Sequence, residues 1–204
     1  MISASIAIIF AIIFLTILFL LHFLKPELDP TWRMISEYEI GRFGWLMRLA
    51  FFSWGVSVLA MLITTWSSLQ LISRWWFVLI TLALFGAGIF KTNSITDNTP
   101  NWVNTMHSLC GAIVILTFPI AATLAVSSLL HHQLWSASQP ILIMGTVLTW
   151  IGMVAFFTSI IISRRIDPSA GRVGPHIYLG WPNRFMVVMY IVWVIIIVAT
   201  VLQL

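Results

Sequence analysis

Residues 35–48 carry the densest group of chemically capable side chains in this sequence. The segment reads Ile-Ser-Glu-Tyr-Glu-Ile-Gly-Arg-Phe-Gly-Trp-Leu-Met-Arg and mixes a hydroxyl, carboxylates, a phenol and guanidinium groups. One interpretation is the start of an interfacial helix, with Ser36 as its N-cap and the carboxylates near the positive end of the helix dipole. Arg48 lies about one turn inside the apolar stretch that follows, where a cation is costly unless it snorkels or pairs. We therefore expect Arg48 to contact a carboxylate, such as Glu37 or Asp97, or an anionic ligand.

A second polar group lies between the third and fourth apolar stretches. It consists of Asp97, Asn101, Asn104, His107 and Ser108. Spacings of three and four place Asn104, His107, Ser108 and Gly111 on one helix face, which must contact protein or water because lipid offers no hydrogen bonds. One interpretation is interhelical hydrogen bonding, with Gly111 allowing close approach. The other is catalysis, in which His107 acts as a general base with Asp97, since imidazole titrates near neutral pH.

Two further histidines are expected on the same side of the membrane as these two groups. His22 ends the first apolar stretch and His176 follows the fifth, so with His107 and Asp97 they are weak candidates for a zinc site that would activate water. No two of them have the i, i+4 spacing of a local metal motif. A Ser36–His107–Asp97 triad can also be drawn, but no G-x-S-x-G nucleophile elbow is present. The sequence leaves the cofactor unknown.

A third cluster is mainly basic and lies between the fifth and sixth apolar stretches. Its members are Arg164, Arg165, Asp167, Arg172, His176, Tyr178 and Arg184. A basic pocket between helix ends suits a phosphate-bearing headgroup. We interpret this cluster as a headgroup-binding loop rather than a catalytic one.

The elements that must position these groups are membrane-spanning helices. A chain of 204 residues that is 60% hydrophobic and only 8% charged cannot bury its apolar surface in one water-facing globule. Six stretches are long enough to cross a hydrocarbon core of about 30 Å, and none alternates as barrel strands do. They lie at about 2–24, 44–66, 75–90, 104–129, 140–162 and 184–204. The sequence therefore predicts an all-α, polytopic membrane helix bundle that forms a single integral membrane domain, residues 1–204.

The charges of this chain are distributed on one side. With six crossings, the connections at 25–43, 91–103 and 163–183 share a side, and with their edges they hold every charged residue except Arg74. Nine of the ten basic residues fall there, so the positive-inside rule predicts that these connections are cytoplasmic and that both termini are outside. Basic residues that bind an anionic ligand would produce the same count. The net charge of +4 is explained by lipid headgroups rather than by nucleic acid.

One segment of the first cluster also carries a family resemblance. Ser36-Glu37-Tyr38, then Gly41, then Gly44-Trp45-Leu46-Met47 resembles the signature of the bacterial and archaeal membrane family catalogued as domain of unknown function 998. The resemblance covers the whole chain and continues at Phe90, Asp97 and His107. The sequence departs from the family pattern directly after Phe90, where Lys91-Thr92-Asn93 follows and an aspartate is expected. The resemblance implies six helices and a prokaryotic inner membrane, but no activity.

Three classes of function are compatible with this pattern. The first is a protein that binds or processes a lipid or another amphipathic small molecule at a one-sided polar site. The second is a noncatalytic membrane subunit or assembly factor, with a membrane protein partner or a second copy of the chain. The third is a small transporter, which should place polar groups near the bilayer midplane. For the first class, the candidate binding residues are Ser36, Glu37, Tyr38, Arg48, Asn104, His176 and Arg184.

Overall fold

The computed structural model describes residues 1–97, 99–166 and 174–203, and it confirms the predicted helix bundle. Six long helices follow one another, each long and apolar enough to cross a membrane. They are α1 (Ile2–Leu24), α2 (Gly44–Thr65), α3 (Leu71–Ile89), α4 (Trp102–Leu130), α5 (Gln139–Ile166) and α6 (Gly180–Gln203). Short 3₁₀ helices occupy three of the connections, at Ile35–Glu39, Trp66–Ser68 and Gln133–Ser138. The described residues contain no strand.

The largest boundary differences lie where polar residues belong to a helix. Helix α3 begins at Leu71, four residues before the predicted start, because Ser73 is buried against Ser128 and Arg74 donates to the Leu69 carbonyl oxygen. Helix α5 continues to Ile166, so its last turn is basic, which suits the negative end of the helix dipole. Helix α6 begins at Gly180, four residues earlier than predicted.

The helices pack largely in sequence order. Helix α1 packs against α2, α2 against α3, α3 against α4 and α5 against α6, while α6 also contacts α1. Contacts between distant segments place residues 25–43, residues 90–97 and the start of α6 at one end of the bundle, which we call the charged end. Thr64 and Ser3 form a hydrogen bond at the other end.

An aromatic cluster fills the middle of the bundle. Phe118 of α4 stacks on Tyr190 of α6, with ring centroids 4.4 Å apart, and Phe77 of α3 stacks on Trp193 at 5.5 Å. Pro119 lies inside α4 and has no backbone N–H to offer the carbonyl of Ile115, four residues earlier. The Tyr190 hydroxyl donates to that carbonyl instead, at 2.9 Å. A backbone acceptor freed within the membrane is thus satisfied by a neighbouring helix, as a lipid environment requires.

Candidate functional site

Glu37 joins two connections at the charged end. Its buried carboxylate accepts hydrogen bonds from Arg33 Nη1 at 2.7 Å, the backbone N–H of Met34 at 3.1 Å and the backbone N–H of Ile95 at 2.9 Å. Ser94 Oγ adds a longer contact at 3.4 Å. These donors come from connections that are far apart in sequence. Glu37 therefore holds the polar connections together, and its oxygens are already used by the protein.

Arg184 is a buried clamp between α6, α1 and the first connection. Its guanidinium donates to the carbonyl oxygens of Arg33, Gly180 and Pro30, to the Tyr38 hydroxyl at 2.9 Å and to His22 Nε2 at 2.9 Å. His22 Nδ1 lies 2.7 Å from the Leu18 carbonyl oxygen, so Nδ1 carries the proton and Nε2 accepts. The structure thus assigns Tyr38, His22 and Arg184 to a shared positioning network.

Lys25 holds the first connection in place through its ammonium group. Its ammonium group is buried and donates to the carbonyl oxygens of Tyr38, at 3.0 Å, and of Ile40. Burial lowers the pKa of this group. The lysine thereby holds the backbone on both sides of Glu39.

A tight turn then brings Glu39 against the start of α2. Gly41 and Phe43 adopt left-handed backbone, with φ of 73° and 63°, and a Cβ at Gly44 would collide with the Glu39 carbonyl group. The left-handed backbone is sterically strained for Phe43, as it would not be for glycine, and such strain is often found near functional sites. The turn places the Glu39 side chain beside Arg48.

Glu39 is a second buried acid at the charged end. Its Oε2 accepts from the backbone N–H of Thr92 at 3.1 Å and lies 3.8 Å from His107 Nδ1, while Oε1 lies 3.6 Å from Arg48 Nε. Burial raises the pKa of Glu39 to about 7, because it outweighs the opposing effects of the Thr92 hydrogen bond and of the positive charges on Arg48 and Lys91. This carboxyl group can therefore exchange a proton near neutral pH.

His107 lies next to Glu39, and its two ring nitrogens have different surroundings. Its Nδ1 is 2.8 Å from the Phe90 carbonyl oxygen, so Nδ1 carries the proton and Nε2 is the acceptor in the neutral ring. Nε2 has no hydrogen-bond partner among residues 1–97, 99–166 and 174–203. The imidazole is buried, and it lines the cavity described next.

The main cavity is a space of about 550 Å³ between α2, α4, α5 and α6. Its polar lining comes from residues near the charged end, namely Ser36, Thr92, His107, Ser108, Ser163, Arg164 and Asn183. Its deeper lining is apolar and aromatic and includes Trp54, Ile115, Leu116, Phe156, Val187 and Tyr190. Tyr190 lies ten residues into α6, so the cavity reaches about 15 Å from the helix start, close to the middle of a core of about 30 Å.

The main cavity opens sideways between α4 and α5. Ser108, Ala112 and Leu116 are spaced four apart on α4, line the cavity and are all exposed. Gly111 lies on the same side of α4, and a Cβ there would meet nothing within 4 Å. Gly111 therefore borders open space and does not serve a close helix contact, in contrast to one of the two interpretations drawn from the sequence.

A second, interfacial cavity of about 700 Å³ lies on the other side of Glu39 and Thr92. It is lined by Glu39, Ile40, Gly41, Gly44, Trp45, Arg48, Lys91, Thr92, Asn93, Asn101 and Val103. Thr92 borders both cavities. The interfacial cavity is the more polar of the two and includes two basic residues.

The remaining candidates lie away from the main cavity. Asp97 is exposed and accepts from the Thr99 backbone N–H and hydroxyl, which lower its pKa, and from Asn93. The carboxylate next to His107 is Glu39, not Asp97. Asn104 accepts from the backbone N–H of Asn93 and so orders the third connection.

The zinc hypothesis finds no support in this geometry. The part of the chain that the structure describes contains no group of three or more His, Cys, Asp or Glu side chains that could hold a metal ion. The histidines fail to converge because His22 is committed to Arg184, His107 lies beside α3, and exposed His176 lines neither cavity. Asp167 and Arg172 of the basic cluster lie outside the described residues.

Several residues of the site were missed from sequence. The sequence pattern indicates Glu39 only as part of a helix start, and it does not single out Thr92, Asn183 or Trp54. Asn183 is buried, accepts from the backbone N–H of Ile35 and lines the main cavity. The signal available for Asn183 was an amide directly beside Arg184 at the start of an apolar stretch.

The comparisons with known proteins give a family and no activity. Residues 8–200 match the family described as Protein of unknown function (DUF998). The match confirms the family resemblance carried by residues 36–47. Neither the curated proteins nor the solved structures include a match to this chain.

Proposed function

The chain belongs to the DUF998 family, and from the geometry of its charged end we propose that this membrane protein binds one amphipathic molecule in the main cavity. The polar part of the ligand lies at His107 and Asn183, and its apolar part extends toward Trp54 and Tyr190. The observation that carries this proposal is a single cavity that is polar near the membrane surface, apolar at depth and open sideways between α4 and α5.

The size of the main cavity supports an occupant. Its volume of about 550 Å³ lies within the range of roughly 300–1,000 Å³ that is usual for small-molecule sites. A lipid chain that enters between α4 and α5 would fill it without crossing water.

The polar groups of the main cavity support an oriented ligand. His107 Nε2 is available as a hydrogen-bond acceptor near the charged end. A bound molecule that offers a hydrogen-bond donor near its head would satisfy this acceptor.

We further propose that the charged end faces the cytoplasm of a cell membrane, as the positive-inside rule predicts. The only cysteine, Cys110, is buried, so single cysteines introduced elsewhere can be labelled selectively. Cysteines at positions 42 and 91 should react with an impermeant maleimide only after the cytoplasmic side is opened. A cysteine at position 136 should react in intact cells. Labelling of all three from one side would contradict the orientation.

The binding proposal is tested by filling the main cavity. Gly111→Phe directs an aromatic ring into open space without a backbone clash. The wild-type protein, purified in mild detergent and examined by native mass spectrometry, should retain a lipid-sized adduct. Gly111→Phe should lose that adduct, because the ring occupies the space of the apolar part.

The matched control is Leu109→Phe, which adds the same ring in the same turn of α4. Leu109 is 51% exposed and does not line the main cavity, so this variant should keep the adduct. Both variants should remain monodisperse with similar melting temperatures. If Gly111→Phe retained the adduct at the wild-type level, the main cavity would not be the binding site.

A further inference from the structure

The interfacial cavity is chemically distinct from the main cavity. Its lining comes from the first connection, the start of α2 and the third connection, whereas the main cavity is built largely from α4, α5 and α6. Glu39, Arg48 and Lys91 line the interfacial cavity and are absent from the lining of the main cavity. Any ligand of the interfacial cavity is therefore held by different groups.

Glu39 lines this cavity, and its carboxylate is only partly satisfied by hydrogen bonds. The Glu39 side chain is only 1% exposed, and its Oε2 already accepts from Thr92. Its Oε1 has no hydrogen-bond donor among the described residues. The nearest cationic nitrogen, Arg48 Nε, is 3.6 Å away and instead donates to the Gly88 carbonyl oxygen at 2.9 Å. A buried carboxylate oxygen in this state favours a ligand that brings a donor, above all a cationic one.

The same cavity offers two positive charges. Arg48 is fixed through Nε, and its two terminal nitrogens make no hydrogen bond within residues 1–97, 99–166 and 174–203. Its side chain is 38% exposed, so these nitrogens remain accessible. Lys91 is exposed on the opposite connection and also lines the cavity. A guanidinium with free terminal nitrogens beside an ammonium group suits a phosphate.

We propose that the interfacial cavity is a second binding site, for a zwitterionic phosphate ester that carries an ammonium group. Arg48 and Lys91 bind the phosphate, and Glu39 Oε1 accepts from the ammonium. Trp45, which is 62% exposed at the cavity edge, offers a ring face to the same cation. The ligand class is that of phosphoethanolamine, present as a lipid headgroup or as a free ester. This site goes beyond the proposed function, because it does not depend on what the main cavity binds.

The test compares headgroups on the delipidated full-length protein in detergent at pH 8. Native mass spectrometry measures binding of phosphatidylethanolamine, phosphatidylglycerol and diacylglycerol with identical chains. Wild type should prefer phosphatidylethanolamine over phosphatidylglycerol by roughly tenfold, as expected for one charge-assisted hydrogen bond. Glu39→Gln should abolish this preference. Lys91→Gln should weaken both phospholipids, by a similar factor, relative to diacylglycerol.

The controls separate this site from the main cavity. Arg42→Gln removes an exposed cation of the same connection that does not line the cavity, so it should keep the wild-type preference. Gly111→Phe should also keep it, although that variant loses the adduct of the main cavity. A competition measurement with glycerophosphoethanolamine distinguishes a free ester from a lipid headgroup. If it competes as well as the intact lipid, the ligand is a free ester, and if it does not, the ligand is a lipid headgroup.

Two results would overturn the second site. One is equal binding of the three lipids by the wild-type protein. The other is an unchanged preference in both Glu39→Gln and Lys91→Gln. A preference that disappears only in Gly111→Phe would assign headgroup selection to the main cavity, and this inference would then fail while the proposed function stood.

Discussion

Replacement of Glu39 by glutamine should change how the stability of the protein depends on pH. The pKa of Glu39 is raised from 4.5 to about 7 in the folded protein. The folded state therefore binds more protons than the unfolded state between these values, and wild-type stability falls as pH rises through this window. A shift from 4.5 to about 7 corresponds to a loss of about 3 kcal/mol, at about 1.36 kcal/mol per pKa unit.

Glutamine has a similar shape and no proton to lose. Glu39→Gln should thus resemble wild type near pH 4.5 and be the more stable protein at pH 8, by up to about 3 kcal/mol. For a chain of this size the difference corresponds to roughly 6–12 °C in melting temperature. The assay is thermal unfolding in detergent at a series of pH values, with the difference between the two proteins plotted against pH. Other titrating groups are common to both proteins, so their contributions largely cancel in this difference.

Glu27→Gln is the matched control, because Glu27 is exposed on the same connection. This variant should follow the wild-type pH profile. If the melting curves of Glu39→Gln and wild type stayed parallel from pH 4.5 to pH 8, burial would not be the dominant effect on Glu39. An ion pair with Arg48 that prevailed over burial would reverse the sign and make the variant less stable at high pH.

Two further substitutions test the elements that position the site. Arg184→Gln should destabilise the protein by about 3 kcal/mol, because it leaves the buried partners of the guanidinium without a donor. Arg165→Gln, at an exposed position, should change the melting temperature little. Equal effects of the two substitutions would contradict the role of Arg184 as a buried clamp. Gly44→Ala should lower the melting temperature and displace Glu39, since the new methyl group collides with the Glu39 carbonyl group. A wild-type melting curve for this variant would exclude the tight turn.

The helices were predictable from sequence because lipid leaves the backbone few choices. An apolar run such as residues 2–24 must satisfy its amides internally, so length and hydropathy give α1 almost to the residue. The count of six crossings likewise predicts that the odd connections, where the charges cluster, lie at a common end. The start of α3 was missed because Ser73 and Arg74 look like loop residues until their partners, Ser128 and the Leu69 carbonyl, are known.

The site was less predictable because it depends on which polar groups already have partners. Glu37 and Glu39 are two residues apart and chemically alike, yet Glu37 is saturated by Arg33 and backbone N–H groups, while Glu39 Oε1 has no hydrogen-bond donor among the described residues. That difference comes from the 3₁₀ helix and the turn at Gly44, which no local pattern encodes. The sequence predicts a polar site at the charged end but not which residues line the main cavity, because the lining depends on how α2, α4, α5 and α6 pack.

Electron density of the wild-type protein crystallised from a lipidic phase tests the central claim most directly. We expect continuous elongated density in the main cavity, with its polar end within hydrogen-bond distance of His107 Nε2 and its apolar end against Trp54. Helices α4 and α5 packed together over a closed interior, or a cavity that contains only water molecules, would contradict the binding of an amphipathic molecule at the charged end.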